Sequence, residues 1–177
     1  MANSDAPHGL NAVKMMSGGK IPMHKYDVAT TSAIYKGDVV CLRAAGRVAS
    51  LKTTGGAANI LGVAANYTAA SGEVWVYDDP GTIFEIQSDG ATDPGATTGL
   101  GLIGNTGPFI IATGNTTTKV SKLEVDYSVI TTGTADPIQI IGYYDGVDND
   151  YLLAHARFLV LLKKNVFENV PESYSVI

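Results

Sequence analysis

The stretch that decides the fold runs from Gly72 to Ser88 and has the sequence GEVWVYDDPGTIFEIQS. Valines alternate with aromatic residues in its first half, and Ile83–Ile86 forms a second short run of β-branched and aromatic residues, which is the pattern of two strands. Asp78–Gly81 separates the runs with turn chemistry, because proline presets φ and glycine accepts a positive φ. The sequence therefore predicts a β-hairpin that supplies much of the aromatic burial, since it contains the only tryptophan, Trp75.

The composition around this stretch is that of a β protein. Charged residues make up only 16% of the 177 residues, and 20 are glycine. Low charge combined with many Gly, Thr, Val and Ile residues favours short strands and turns over helices. The sequence predicts an all-β fold, either a compact antiparallel β-barrel or a β-sandwich, with an extended N-terminal arm and long polar loops.

Further strands are predicted on both sides of the central stretch. They cover 26–34, a hairpin of 39–42 with 47–51, 60–64, 108–113, 119–126, 137–144 and 156–163. A Gly- and Thr-rich loop is expected at 52–59. The polar segment at 89–107 is interpreted as a long surface loop or as a seam between two β units.

The ends of the chain lack such periodicity. Residues 1–25 contain Gly18-Gly19 and Pro22, which break a helix, and several apolar side chains suited to docking. They predict an extended N-terminal arm, with a disordered tail as the open alternative. The β domain is expected at 26–167, followed by an irregular C-terminal tail at 168–177.

Charge is distributed unevenly along the chain. Residues 1–52 carry seven Lys and Arg against three Asp and Glu, whereas 53–177 carry five against fourteen, for a net charge of −5. A basic front end suits contact with an acidic partner surface. No nucleic-acid partner is expected, because no dense Lys/Arg cluster is interleaved with aromatic residues.

Nothing in the sequence indicates export or a membrane. The first twenty residues lack the apolar core of a signal peptide, and the longest apolar run, Phe158–Leu162, is too short to cross a bilayer. Cys41 is the single cysteine, so no intrachain disulfide forms. We expect a soluble protein made in a cytosol, with no membrane partner.

The sequence contains no recognisable catalytic or cofactor motif. His8, His24 and His155 are far apart and match no metal-ligand spacing. Cys41 lies in an apolar run, where cysteine is usually a small buried hydrophobe. The glycines of 99–104 spell GxGxxG outside the strand-to-helix context that binds phosphate. The sequence therefore predicts no enzyme and no cofactor.

One carboxylate cluster offers weak metal chemistry. Asp145, Asp148 and Asp150 lie in DGVDND and could supply oxygen ligands to Ca²⁺. The spacing of an EF-hand and its bidentate glutamate are missing, and the same residues are common in inter-strand turns. We expect no resident metal and keep this cluster as the weak calcium candidate.

Several segments together resemble the capsid cement or head decoration proteins of tailed bacteriophages. They are GDVVCL (37–42), ILGVAA (60–65), GEVWVYDDPGTIFEIQSDG (72–90), GNTTTKVSKLEVD (114–126), PIQIIGYYDGVDND (137–150) and ARFLVLLKKNVF (156–167). The resemblance covers about residues 26–167 and is strongest in DPGTIFEIQ and in the closing IIG…D…ARFLVLL. It contains no catalytic motif.

The resemblance implies a structural virion protein that binds the outer surface of the phage major capsid lattice and stabilises the head. Its partners would be the major capsid protein and further copies of itself, as a dimer or trimer. Its location would be the capsid exterior, after synthesis in the host bacterial cytoplasm. The residues expected at the capsid contact are in or next to the arm: Leu10, Lys14, Met15, Lys20, Met23, Lys25 and Tyr26. The 89–107 loop is a second candidate.

A receptor- or glycan-binding β module of a phage tail or fibre is the alternative. Tyr143, Tyr144 and Tyr151 lie near the three aspartates and could form a sugar platform with Ca²⁺. Calcium-dependent glycan binding would separate the two functions.

Overall fold

A computed structural model describes residues 3–29, 33–43, 46–51, 59–90, 99–132 and 136–167. The tail predicted at 168–177 lies outside these residues. So do 52–58 of the predicted Gly- and Thr-rich loop and 91–98 of the predicted polar loop.

The described residues form twelve β-strands, and none of them is in an α-helix. The strands are β1 (Asn11–Met15), β2 (His24–Asp27), β3 (Val39–Leu42), β4 (Val48–Ser50), β5 (Ile60–Ala64), β6 (Glu73–Tyr77), β7 (Thr82–Gln87), β8 (Thr106–Gly107), β9 (Phe109–Ile110), β10 (Glu124–Val125), β11 (Ile138–Tyr143) and β12 (Arg157–Leu162). Short 3-10 helices cover Gly99–Leu102 and Tyr127–Val129. The strands predicted at 108–113 and 119–126 are therefore much shorter than expected.

Two five-stranded sheets form a sandwich. One has the strand order β1-β7-β12-β11-β8 and the other β2-β6-β5-β3-β4, while β9 and β10 make a small separate pair. Neighbouring strands in all three sheets are antiparallel. The all-β prediction is confirmed, and a sandwich is the form that fits. The predicted pairing of 39–42 with 47–51 is also confirmed, as β3 and β4.

The central stretch is divided between the two sheets. β6 pairs with β2 and β5, whereas β7 pairs with β1 and β12. Both predicted strands exist, but the prediction that they form a hairpin with each other is wrong. Turn residues fix where the chain bends, and they do not fix which strands pair afterwards. Asp78–Gly81 carries the chain from one sheet to the other, so that the rings of Tyr77 and Phe84 meet with centroids 6.4 Å apart.

Residues 3–27 supply an edge strand to each sheet. β1 lies beside β7 and β2 lies beside β6. The segment 16–23 between them crosses the same corner as Asp78–Gly81, and the Met16 N–H donates to the Gly81 carbonyl at 2.8 Å. The described part of the segment predicted as an extended arm, 3–25, belongs to the sandwich because β6 and β7 each take an edge partner from it.

The core has two parts because one sheet is buried on both faces. Val39, Ile60 and Val63 point between the sheets, towards Phe84, Phe158 and other residues of the opposite sheet. Their neighbours Val40, Leu61 and Ala64 point the other way, into a second cluster that includes Val28 and Ile34. Alternation along a strand produces this division. Val28 and Ile34, which follow β2, therefore cover the outer face of the sheet β2-β6-β5-β3-β4.

Candidate functional site

The corner where both connections cross contains an open cleft of about 440 Å³. Its lining residues are Pro22, His24, Tyr26, Asp78, Asp79, Pro80 and Phe167. It therefore joins the start of β2 to the turn that was expected to be only structural.

Asp78 is the buried polar centre of this cleft. The Tyr26 hydroxyl donates to its carboxylate at 2.6 Å, and His24 Nδ1 lies 2.9 Å from the same carboxylate. Burial, together with the hydrogen bond to Asp78 and its charge, raises the pKa of Tyr26, so its hydroxyl remains a donor. The Asp78 side chain therefore anchors the edge strand β2 to the turn that contains it.

The residues predicted for capsid contact divide into buried and exposed groups. Leu10 is 2% exposed and belongs to the core between the sheets, and Met15 is also buried. Both are corrected as contact residues, because the burial that fixes the N-terminal segment removes their side chains from the surface. Tyr26 is half-buried and holds Asp78.

The other predicted contact residues lie at the surface. They are Lys14, Lys20, Met23 and Lys25. Lys25 forms an ion pair with Glu73 at 2.9 Å and lies opposite Trp75 in the β2–β6 register. Trp75 itself is 46% exposed, so the sequence expectation of a ring that supplies core burial is wrong. Its backbone N–H donates to Asn66, which holds the strand but leaves much of the ring accessible.

The calcium candidate is organised as a turn held by other groups. The Asp148 carboxylate contacts the Arg157 guanidinium, which also lies 3.2 Å from Glu85. The Asp150 side chain accepts a hydrogen bond from the Leu152 N–H at 3.1 Å, and Asp145 is exposed. These contacts match the turn interpretation of the three aspartates.

The proposed sugar platform is largely engaged inside the protein. The Tyr143 ring packs against Tyr151 and Phe158, with centroids 4.8 and 5.4 Å away. Arg157 lies over the Tyr144 ring, 4.6 Å from its centroid. Tyr151 is exposed, so a single ring of the three presents a large accessible area.

A second polar cluster was missed by sequence reasoning. Asp5, Glu124 and His155 come from three distant segments, and their potential ligating atoms all lie within 4.8 Å of one another. Among the described residues, these three form the single group of potential metal ligands whose atoms lie this close together. No local spacing could have revealed it, since the fold alone brings the three segments together.

Several carboxylates lie close together at this cluster, which disfavours the charged form of Glu124. Burial raises the pKa of Glu124 to about 7, and the nearby carboxylates of Asp5 and Asp89 add to the shift, while His155 opposes it. Glu124 Oε1 and His155 Nδ1 are both buried without a hydrogen-bond partner. Asp5 Oδ1 is 3.8 Å from His155 Nδ1, too far for a hydrogen bond.

Cys41 is buried between the sheets, as predicted. Burial raises the pKa of its thiol, with Arg43 acting weakly against the shift, so the reactive thiolate is disfavoured.

None of the helical segments in the described ranges is long and apolar enough to span a bilayer. No protein-family model and no curated protein matches the sequence.

Proposed function

We propose that this chain is a structural virion protein that binds the outer surface of a tailed-phage capsid lattice and stabilises the head. The proposal starts from the resemblance of the segments between 37 and 167 to cement and decoration proteins. An all-β sandwich whose cysteine is buried, with a raised thiol pKa, is consistent with a binding role.

The observation that carries the proposal is a set of exposed apolar side chains and lysines on the segment between β1 and β2 and on the neighbouring β2–β6 strand pair. We define the corner surface as Met16, Lys20, Met23, Lys25 and Trp75. Met16 is 61% exposed and Met23 44%, and Trp75 presents about half of its area. Tryptophan and methionine are enriched at protein interfaces, and adjacent lysines suit an acidic partner. Met16, Lys20 and Met23 lie in the segment between β1 and β2. Lys25 lies in β2, where the register places it opposite Trp75.

Repetition would make modest contacts effective on a capsid. A lattice presents many equivalent sites, and a dimer or trimer that engages several of them gains affinity from a high effective concentration. We therefore propose self-association as a dimer or trimer, which light scattering of the purified protein would measure.

Removing residues 1–25 is unsuitable as a test, because it deletes β1 and the first part of β2. Point substitutions at the corner surface avoid this problem. We expect Trp75→Ser and Met23→Ser together to weaken cosedimentation with heads that lack the protein, while the chain stays folded. Val147→Ser removes an exposed apolar side chain from the loop between β11 and β12 and is the control. Equal binding by all variants would contradict the assignment of the corner surface.

A further inference from the structure

We propose that Asp5, Glu124 and His155 form a binding site for one divalent first-row cation, with Zn²⁺ as the best match. The site would fasten the N-terminal segment to the sandwich. It does not depend on the proposed capsid function, since it rests on the side chains of the cluster alone.

The geometry of the three side chains is close to that of a metal site. Ligands bound at about 2 Å to one ion lie roughly 3–4 Å from each other. All three potential ligating atoms lie within 4.8 Å of one another, and the Asp5–His155 separation is 3.8 Å. A small closing movement of the exposed Asp5 side chain would complete the set.

The segment that carries Asp5 is fixed on both sides of that residue. The Asn3 side-chain amide donates to the Ala154 carbonyl at 2.9 Å, immediately before His155. The Ala6 N–H donates to the Gln87 side chain at 2.9 Å. Asp5 therefore reaches the cluster from an ordered backbone, which lowers the entropic cost of binding an ion.

The other two side chains are also held in position. Gln87 donates to the His155 carbonyl at 3.1 Å, and the His155 ring lies so close to Gly90 that a Cβ at that glycine would overlap it. Glu124 belongs to β10, whose Val125 carbonyl accepts from the Asp89 N–H at 3.1 Å. Three distant parts of the chain thus present their ligands at one point.

The unsatisfied atoms give an independent reason to expect a ligand. Buried polar atoms normally have a hydrogen-bond partner, and leaving them without one is costly. Glu124 Oε1 and His155 Nδ1 both lack a partner and both belong to the cluster. A cation between them would satisfy both atoms and offset the repulsion between the two carboxylates.

The donor set identifies the class of ion. An imidazole nitrogen with two carboxylates suits Zn²⁺ or a similar first-row cation, whereas Ca²⁺ and Mg²⁺ prefer oxygen ligands alone. Two carboxylates and a neutral imidazole also balance the charge of a divalent ion.

Calorimetric titration of the EDTA-stripped full chain with ZnCl₂ tests the site. We expect one Zn²⁺ per chain, and we expect Asp5→Asn and Glu124→Gln each to weaken binding by roughly tenfold or more. Asp5 is exposed, so its variant keeps the test meaningful if Glu124→Gln fails to fold. His24→Asn and Asp145→Asn are matched controls that remove an imidazole and a carboxylate elsewhere.

Hydrogen exchange gives a second readout, because it reports whether the ion orders the N-terminal segment, which the affinity alone does not. Zn²⁺ should slow exchange of the Ala6 amide in the wild type and in the controls, and have no such effect in Asp5→Asn. Absence of Zn²⁺ binding would overturn the proposal. So would binding that persists in Asp5→Asn and Glu124→Gln but is lost in His24→Asn, because the ion would then lie at Asp78.

Discussion

At the scale of single residues, Asp78 shows how one side chain in a turn stabilises two elements. It follows β6 directly, and it accepts hydrogen bonds from β2 through Tyr26 and His24. A buried carboxylate needs such partners because its desolvation is costly. The acidic turn of the sequence is therefore an anchor for the first strand of its sheet.

We expect Asp78→Asn to lower the free energy of unfolding by about 1–3 kcal/mol, because hydrogen bonds to a buried charged group are lost. Urea denaturation followed by Trp75 fluorescence would measure the change. Asp145→Asn removes an exposed carboxylate and should leave the midpoint nearly unchanged. A wild-type midpoint for Asp78→Asn would show that the carboxylate does not anchor β2.

Glu124 should make stability depend on pH. Its pKa in the folded protein is about 7, above the ordinary value of 4.5, so the folded chain binds the proton more tightly than the unfolded chain. The stabilising contribution of the protonated group is present below about pH 4.5 and is lost as the pH rises through about 7. Glu124→Gln should therefore flatten the fall in unfolding free energy over this interval. Both proteins are measured in EDTA, so that no bound metal ion affects Glu124. Parallel curves of unfolding free energy against pH would contradict the prediction.

At the scale of elements, the corner explains the misassigned hairpin. The alternation in β6 and the apolar run of β7 predict two strands and a turn correctly. Pairing depends on partners far away in the chain, and β1 and β2 occupy the edges beside β7 and β6. Local turn chemistry contains no information about those partners.

Contact between β5 and β6 depends on a glycine in the middle of a strand. A Cβ at Gly62 would overlap the Tyr77 carbonyl, which belongs to the backbone and has little freedom to move. We expect Gly62→Ala to destabilise the protein by about 1–3 kcal/mol through overpacking. Gly142→Ala is the control, since its added Cβ would meet only Leu159, at 3.9 Å. Equal denaturation midpoints for the two variants would contradict this account of the β5–β6 contact.

The sequence predicted the strands that are bounded by clear turns and carry a strong apolar pattern. β3, β4, β5, β11 and β12 all lie within predicted ranges. β1 was missed, and β2 overlaps the strand predicted at 26–34 only at Tyr26 and Asp27. Both Asn11–Met15 and His24–Asp27 lack a period-2 pattern and gain their structure by pairing at sheet edges. Tertiary contacts override weak local preference in such strands.

At the scale of the whole molecule, the fold determines what can serve as a site. Lys14, Lys20, Lys25 and Met23 are exposed as predicted, but the same aperiodic segment also contains the buried Leu10 and Met15, so its sequence did not separate surface from core. The exposure of Trp75 was not predictable, because alternation shows that two faces exist without showing which one is buried. The Asp5, Glu124 and His155 cluster depends entirely on long-range pairing, so no motif could predict it.

Cryo-electron microscopy of capsids incubated with the purified protein tests the central claim most directly. The account predicts added density of sandwich size on the outer surface of the shell, with the corner surface (Met16, Lys20, Met23, Lys25 and Trp75) facing the major capsid protein. Capsids that acquire no external density at saturating protein, or that carry the chain only on a tail or fibre, would contradict it.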